Sequence, residues 1–450
     1  MKKKVESFNE HINRLFRDRN ISLKPGESVY SKVNGAFTRN ITFQVSEDCN
    51  MNCSYCYQNH KTHNKMSFDT AKQLIDQVLT DDERTKDYYS SKNSPGVCLE
   101  FIGGEPLLEI KLIDQIVDYF INKCIELRHH WATRYMISFA TNGLLYFNED
   151  VQRFIQKNRR HLSLSVSIDG NKVLHDACRV DLHGNGTYDR AIAAVRHYKS
   201  HWKNFMGSKV TLSPDNVQYT SDAIISMIEE GYDSINFNVV NEEGWTIEHA
   251  KIYYRELKKL ADYLLEHDTL DKITINALNV RYGHPLDPND NSPWCGGSGA
   301  MLSMDYKGDL FPCIRYMESS LSGNKPQLDI GNISDGIAKT DEAIERLNIL
   351  SQTTRRSMSD DKCFNCPIAF GCATCTAYCY EMYGLPIKRT TFTCDMMKAR
   401  ALGLSYIWNS YYRKKGLDDR YSLDIPDEWA LEIINIDELN MLKELAKGVY

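Results

Sequence analysis

Cysteine is the residue type that most clearly indicates chemistry in this 450-residue chain. There are 14 cysteines, and eleven of them fall into three groups. The first group is Cys49, Cys53 and Cys56; the second is Cys295 and Cys313; the third is Cys363, Cys366, Cys372, Cys375, Cys379 and Cys394. The N-terminus has no apolar signal region, so we expect a reducing compartment, where clustered cysteines serve metal binding or catalysis rather than disulfides.

The spacing of the first group suits an iron–sulfur cluster. Three thiolates in the pattern C-x3-C-x2-C can ligate three irons of a 4Fe–4S cube, which is usually held by four cysteines. The remaining iron would then be open to a small molecule. A zinc site is the alternative, with three cysteines completed by His60 or His63.

Further polar motifs follow the next apolar strands. The segment FIGGEP ends the second strand, Thr141-Asn142-Gly143 the third, and SVSIDG the fourth. Glycines allow a close backbone approach, and the carboxyl ends of parallel strands meet at one edge of a sheet. We therefore expect these motifs to lie beside the first cysteine group.

The chain resembles the radical S-adenosylmethionine (SAM) enzymes. The resemblance rests on the cysteine motif, which has an aromatic residue before its last cysteine, and on the motifs at the later strand ends. The resemblance implies that Cys49, Cys53 and Cys56 are the catalytic cluster ligands, that the open iron chelates SAM, and that an electron from the cube cleaves SAM to a 5′-deoxyadenosyl radical. It assigns SAM contacts to Tyr55, Gly103, Gly104, Glu105, Asn142, Ser167, Asp169 and Arg179. For Arg179, pairing with a SAM or peptide carboxylate and a surface salt bridge remain alternatives.

The later cysteines resemble a SPASM domain, which carries two auxiliary iron–sulfur clusters. The resemblance assigns a distal cluster to Cys363, Cys366, Cys372 and Cys394, and a proximal cluster to Cys295, Cys313 and Cys375. Cys379 is either a fourth proximal ligand or free, because Thr376 stands where the usual pattern has a cysteine. We thus expect SAM and three 4Fe–4S clusters as cofactors, with an open proximal iron if Cys379 points away.

Apolar runs alternate with helical patterns over the first 270 residues. Strands are predicted at Ile41–Val45, Val97–Ile102, Tyr135–Ala140, Leu162–Ile168, Lys209–Leu212 and Ser234–Val240. Helices are predicted at Ser67–Leu79, Ile110–Leu127, Glu149–Lys157, Tyr188–His201, Thr220–Glu230 and Ile247–His267, with Ser67 and Ser221 as N-caps. This order predicts an α/β fold with a parallel sheet, and the resemblance implies a partial (β/α)6 TIM-like barrel followed by the SPASM domain.

Composition shifts suggest domain boundaries. We expect an N-terminal segment at 1–40, the barrel at 41–270, a Pro/Asn/Asp-rich linker at 271–292, the auxiliary cluster domain at 293–400 and C-terminal helices at 401–450. Cys98, Cys124 and Cys178 lie outside the groups and are expected to be structural, with only a weak functional interpretation for Cys178 beside Arg179.

Bulk composition excludes some partners. Hydrophobic residues make up 42% and charged residues 25%, with a net charge of −6. The chain has no overall basic field and no long apolar stretch, so neither nucleic acid nor a membrane is expected as a partner. We expect a cytoplasmic protein.

The narrower resemblance is to peptide maturases that act on Cys-containing ribosomal precursor peptides, carried by YCYQNH, VTLSPDN and CPIAFGCATCTAYCYE. It implies crosslinking of a precursor peptide, most naturally as a thioether to cysteine, with an external electron donor such as flavodoxin or ferredoxin. Only about 40 residues precede the first strand, fewer than an ordinary domain, so a separate leader-binding protein or a surface of this chain is expected to hold the leader. The alternatives are an anaerobic sulfatase-maturing enzyme and, in another class, a non-catalytic zinc-organised binding protein.

Overall fold

The structure is a computed structural model that describes residues 39–58, 60–202, 207–232, 234–322 and 325–447. The segment expected at 1–40 lies almost wholly outside this range. All six predicted strands are confirmed, and each observed end lies within two residues of its predicted position. They are β1 (Arg39–Ser46), β2 (Val97–Gly103), β3 (Tyr135–Thr141), β4 (Leu162–Val166), β5 (Gly207–Leu212) and β6 (Ser234–Val239).

The helices between these strands also lie where the pattern predicts them. They are α1 (Phe68–Thr80), α2 (Ile110–Glu126), α3 (Glu149–Asn158), α4 (Lys172–Cys178), α5 (Tyr188–His197), α6 (Thr220–Glu229) and α7 (Ile247–Glu266). The short helix α4 was not predicted. It lies in the connection after β4, between Asn171, which caps it, and Arg179.

Two sheets rich in parallel pairs form the centre of the α/β fold. In the first, β1, β2, β3 and β4 are parallel neighbours. In the second, β5 and β6 are parallel and a short β7 (Thr274–Ile275) follows. This arrangement brings the carboxyl ends of β1 to β4 to one edge.

The cysteine-rich region extends the first sheet. Strand β8 (Met301–Met304) pairs in parallel with β1, so Thr42 lies opposite Ser303. The antiparallel strands β9 (Asp309–Phe311), β10 (Gly331–Asn332) and β11 (Gly336–Ile337) continue from it. Backbone hydrogen bonds therefore join the region of the later cysteines directly to the strand that precedes the first cysteine group.

Side chains alternate along the strands. Apolar residues such as Val97, Leu99 and Phe101 are fully buried in the main core with the helices. Polar residues occupy the other face of the strands, which we call the inner face. The inner face includes Thr42, Glu100, Ser138, Ser165, Lys209 and Asn236.

Seven further helices lie after β9 in the described residues. They are α8 (Asp341–Ser351), α9 (Arg355–Met358), α10 (Asp361–Phe364), α11 (Thr376–Tyr383), α12 (Cys394–Lys415), α13 (Asp427–Leu431) and α14 (Ile436–Ala446). Helix α12 packs closely on α7, where a Cβ on Gly403 would lie 2.8 Å from Leu257 Cδ1. Among the described residues, every helix is too short or too polar to traverse a bilayer.

One of the two predicted N-caps is confirmed and the other is wrong. The Ser67 side chain accepts a hydrogen bond from the Thr70 N–H at 3.0 Å and caps α1. Ser221 instead lies inside α6, and its hydroxyl and N–H both donate to Glu256 Oε2. Ser221 therefore binds the buried Glu256 carboxylate on α7 instead of capping α6.

Ser67→Ala removes the cap of α1 and leaves the Thr70 N–H without its acceptor. A lost cap costs about 1 kcal/mol, so we expect roughly fivefold faster amide hydrogen exchange at Thr70. Thr80→Ala, at the other end of the same helix, is the control and should leave this exchange unchanged. Equal exchange in the Ser67 variant and the parent protein would show that the cap contributes nothing.

Candidate cofactor site

The first cysteine group lies on the loop between β1 and α1. Cys49, Cys53 and Cys56 are half-buried, and none is in a disulfide. The loop is held from outside its own sequence, since Asn52 N donates to Val180 O at 2.9 Å and Ser54 N donates to Cys178 O at 3.0 Å. The chain after α4 therefore positions the cysteine loop.

Burial favours the protonated form of Cys49 and Cys53 in the metal-free chain. Burial raises the pKa of Cys49 to about 11. The pKa of Cys53 is also raised by burial, although the positive charges of Arg179 and Lys61 oppose this shift. Metal ligation by such thiols must release protons, and the nearby cations favour the resulting thiolates.

The glycines of FIGGEP lie against the start of the cysteine loop. A Cβ on Gly103 would lie 2.5 Å from Ser46 O, and one on Gly104 would lie 2.3 Å from Asp48 O. Gly104 N donates to Ser46 O, and Glu105 N donates to Asp48 O at 2.9 Å. Any side chain at Gly104 would push the loop that carries Cys49.

The Glu105 carboxylate joins the ends of β2 and β3. It is buried and accepts hydrogen bonds from the Thr141 hydroxyl at 2.6 Å, from Asn142 N at 2.8 Å and from Leu107 N. Burial raises its pKa, against the effect of these donors. In this structure the carboxylate is thus occupied by groups of the chain itself, and its role is to fix the strand ends beside the cysteines.

Asn142 connects the end of β3 to the cysteine loop. Its amide Nδ2 donates to Asn50 Oδ1 at 2.7 Å, and its Oδ1 accepts from Leu144 N. Ser167, after β4, is half-buried, and its N–H donates to Thr141 O. The ends of β2, β3 and β4 are therefore joined in one hydrogen-bonded series.

Tyr55, Asp169 and Arg179 form a compact group beside Cys53. Arg179 Nε donates to Asp169 Oδ2 at 2.8 Å, the Tyr55 hydroxyl donates to the same oxygen, and the guanidinium lies 5.3 Å from the Tyr55 ring centre. Asp169 Oδ1 is buried and has no hydrogen-bond partner among the described residues. The interpretation of Arg179 as a surface salt bridge is wrong, because the ion pair is buried.

Two hydrogen-bond contacts of His175 hold this group in place. His175 is buried; its Nδ1 accepts from Asp169 N, and its Nε2 lies 3.0 Å from the Thr187 hydroxyl. Burial and the charge of Arg179 lower the pKa of His175 to about 4, so the ring is neutral at ordinary pH. A neutral imidazole can be acceptor and donor at once, as these two contacts require.

The four cysteines assigned to a distal cluster surround one pocket. Cys363, Cys366, Cys372 and Cys394 line it together with residues of the segment that precedes α12. Arg389 reaches into this group, where its Nη2 donates to Cys372 Sγ at 2.8 Å. Tertiary folding thus brings Cys394 to Cys363, Cys366 and Cys372.

The proximal cysteines also lie near one another. The Cys313 and Cys295 side chains both approach Gly297, and the charges of Cys295 and Cys375 affect the pKa of Cys313, which burial raises to about 12. Cys379 is fully buried, and its sulfur lies 3.5 Å from the Thr374 hydroxyl. Both Cys375 and Cys379 are therefore close to the start of α11.

No compact site for a single ion is present in the described part of the chain. No group of three or more His, Cys, Asp or Glu side chains there could hold one metal ion. A zinc site needs its ligands to converge at about 2.0 to 2.3 Å, whereas the thiolates around a cube bind different irons. The His63 side chain is 91% exposed and pairs with Asp48, which gives the three-Cys zinc hypothesis no support.

Three charged residues near the site were missed by the sequence analysis. Glu100 on β2 accepts from the Thr42 hydroxyl at 2.7 Å, and Lys209 lies on the inner face of β5. Arg315 follows Cys313 and lies 3.5 to 3.6 Å from the carboxylates of Glu242 and Glu381. For Glu100 and Lys209 the available signal was a charged residue inside a short strand, whereas Arg315 lies in a short 3-10 turn after Cys313.

Comparison with known proteins agrees with this geometry. A family model described as a 4Fe-4S single cluster domain matches residues 33–189. An uncharacterized protein of Methanocaldococcus jannaschii is 28% identical over 64% of this chain and 88% of its own length. The radical SAM cyclopropyl synthase TigE of Paramaledivibacter caminithermalis is 21% identical over 88% of this chain and 77% of its own. A cysteine-type anaerobic sulfatase-maturating enzyme of Clostridium perfringens is 22% identical over 61% of this chain and 73% of its own.

Solved structures share the fold. The structure of anSMEcpe with bound AdoMet covers 88% of this chain and 98% of its own, with 17% identity and a TM-score of 0.61. Streptococcus suis SuiB bound to S-adenosylmethionine covers 85% of this chain and 80% of its own, with 14% identity and a TM-score of 0.51.

The cysteine motif, the matched 4Fe-4S family model and the sequence relatives support a radical SAM enzyme with an iron–sulfur cluster. Within that class it resembles the SPASM-type peptide maturases, as its motifs predict.

Gly104→Ala should displace the cysteine loop, because the added Cβ would clash with Asp48 O and with Cys49 Cβ at 2.7 Å. We expect loss of at least half of the iron bound near this loop, measured by iron analysis and visible absorbance after anaerobic reconstitution. Gly416→Ala is the matched control, since its φ of +64° strains an alanine but no atom lies within 4 Å. Full iron content in the Gly104 variant would contradict the steric argument.

Asp169→Asn should strongly destabilise the fold around Arg179. Breaking a buried ion pair by removing one partner costs about 3 to 5 kcal/mol, and the loss should appear in anaerobic denaturant unfolding. Asp189→Asn breaks the exposed pair with Lys172 and should cost about 0 to 1 kcal/mol. Similar losses in the two variants would mean that the buried pair has no special weight.

Proposed function

We propose that this protein is a peptide maturase that removes a hydrogen atom from a carbon of a ribosomally made precursor peptide and joins that carbon to a cysteine sulfur as a thioether. The thiol would lose its proton, and an auxiliary cluster would accept the surplus electron. The observation that carries the proposal is the joining of four strand ends around Cys49, Cys53 and Cys56. Polar inner-face residues lie on the same strands, and the later part of the chain contains two more cysteine groups.

In this proposal the two parallel sheets form a partial (β/α)6 barrel over 41–270. Residues 293–400 form a SPASM domain after a linker at 271–292, and helices at 401–450 pack outside. The pairing of β8 with β1 favours this arrangement, because it gives the second domain a fixed position at the barrel edge. The inner face would then be the wall of the reaction chamber.

The proposed cofactors are SAM and three 4Fe–4S clusters. Cys49, Cys53 and Cys56 would hold the first; Cys363, Cys366, Cys372 and Cys394 the distal; and Cys295, Cys313 and Cys375 the proximal cluster. Free thiols in three separate groups fit this ligand set. When bound at the first site, the cluster supplies the electron that cleaves SAM to a carbon radical.

The residues of this chain have positioning and shielding roles. Gly103 and Gly104 seat the cysteine loop, and Glu105 and Asn142 lock the strand ends around it. The buried, unpartnered Asp169 Oδ1 can accept from a hydroxyl donor such as the ribose of SAM, while Tyr55 and Arg179 hold that carboxylate in place. Ser167, half-buried on the neighbouring strand end, is proposed as a further contact.

A second candidate is an anaerobic sulfatase-maturing function. It is favoured by the relationship to the Clostridium perfringens enzyme and by the shared fold of anSMEcpe, solved with AdoMet and the Cp18Cys peptide at a TM-score of 0.59. That function yields an aldehyde, whereas a crosslink yields none. Hydrazide labelling of the product peptide separates the two.

We also propose an external one-electron donor of the flavodoxin or ferredoxin type and, for leader recognition, a separate protein or a surface of this chain. Cytoplasmic location is proposed because the cysteines of the described residues are all free, as expected where thiols stay reduced.

Cys53→Ala and Cys366→Ala should have different effects. The first should abolish 5′-deoxyadenosine formation with dithionite and SAM, because it removes a ligand of the SAM-binding cluster. The second should retain part of that cleavage but form no peptide product, because it disrupts only the distal cluster. Reconstituted parent protein should contain about twelve irons per chain, and each variant about eight.

Cys124→Ala is the control, since this buried helix cysteine lies outside all three groups. It should keep both activities and the full iron content. Normal product formation by Cys366→Ala would refute the distal assignment, and SAM cleavage by Cys53→Ala would refute the proposed catalytic centre.

A further inference from the structure

Lys209 has an unusual position on the inner face of β5. Its neighbours in the strand, Ser208 and Val210, are buried on the helix side, while Lys209 itself is solvent-exposed. Nevertheless, the surrounding protein lowers the pKa of Lys209 by burial, and the positive charge of Arg315 lowers it further. Lys209 therefore extends into a recess that water can reach, rather than into open solvent.

Lys209 lies near residues of two of the three cysteine sites. Besides Arg315, the charges that affect Lys209 are those of Cys375, from the proximal group, and Arg179, from the group beside Cys53. A molecule that contacts Lys209 would thus lie near both cysteine groups. This is the position expected for the reacting part of a substrate.

The acidic residues that interact with the nearby arginines are already used. Asp169 pairs with Arg179, and Glu242 and Glu381 lie beside Arg315. Lys209 makes no hydrogen bond or ion pair within the described residues. A partly buried ammonium without a counter-charge is costly unless something pairs with it.

Asn236 supplies a second unpartnered group at the same place. It lies opposite Lys209 in the parallel register of β5 and β6, on the same exposed face. Its side chain has no hydrogen-bond partner among the described residues either. An ammonium and a carboxamide side by side can both donate to the two oxygens of one carboxylate.

We propose that Lys209 and Asn236 bind a carboxylate of the peptide substrate, carried by an acidic side chain, and so place the neighbouring residue between Arg179 and Cys375. This inference rests on the proposed peptide substrate. It adds a specificity rule: the precursor peptide has an acidic residue next to the site of modification.

Two blocked pentapeptides test this inference in the presence of SAM, without reductant. Acetyl-Gly-Cys-Gly-Glu-Gly-amide and its Gln analogue differ only in the carboxylate, and ligand-observed NMR gives their affinities. A charge-assisted pair in such a recess should favour the Glu peptide roughly tenfold. Lys209→Met should abolish the preference, Lys209→Arg should retain most of it, and Asn236→Asp should reverse it by repulsion.

Lys251→Met is the matched control, because Lys251 pairs with Glu248 on α7, away from the recess; it should keep the preference. No Glu preference in the parent protein, or an unchanged preference in Lys209→Met, would overturn the inference. Weaker SAM binding by Lys209→Met with the peptide preference intact would also overturn it, by assigning the lysine to the SAM carboxylate. Failure of the proposed function is distinguishable, since the parent protein would then form no 5′-deoxyadenosine with dithionite and SAM.

Discussion

The close approach of two backbones, at the end of β2 and the start of the cysteine loop, is the constraint on which the candidate site depends. Gly103 and Gly104 leave no room for a side chain against Ser46 and Asp48, and two backbone hydrogen bonds close the gap. Together with the hydrogen bonds from Asn52 and Ser54 to the end of α4 and the chain after it, this contact determines where Cys49 lies. The Glu105 carboxylate accepts hydrogen bonds from Thr141 and Asn142 and so fixes the end of β3 beside this contact.

Charge is arranged in closed groups around this centre. Arg179 is neutralised by Asp169, and Arg315 lies beside two carboxylates. Buried ions are tolerated only when they are paired and hydrogen-bonded. Lys209 on the inner face has no hydrogen-bond or ion-pair partner among the described residues, which distinguishes it from the arginines on either side.

The two halves of the chain are mechanically connected. Strand β8 extends the first sheet from the cysteine-rich region, and α12 begins at Cys394 and packs along α7. A ligand of the proposed distal cluster is thus the first residue of a long helix that contacts the parallel-strand region. Such continuity keeps the distance between cysteine groups constant, which electron transfer between them would require.

The sequence alone determined the local chemistry and most of the elements. Spacing identified Cys49, Cys53 and Cys56, and hydrophobic alternation located β1 to β6, since both signals are short in range. Only the tertiary structure decided that Ser221 binds Glu256 rather than capping a helix, that Arg179 is buried against Asp169, and that Lys209 lies near Cys375. Those pairings join residues distant in the chain, and their energies depend on burial and neighbouring charge, which no local pattern records.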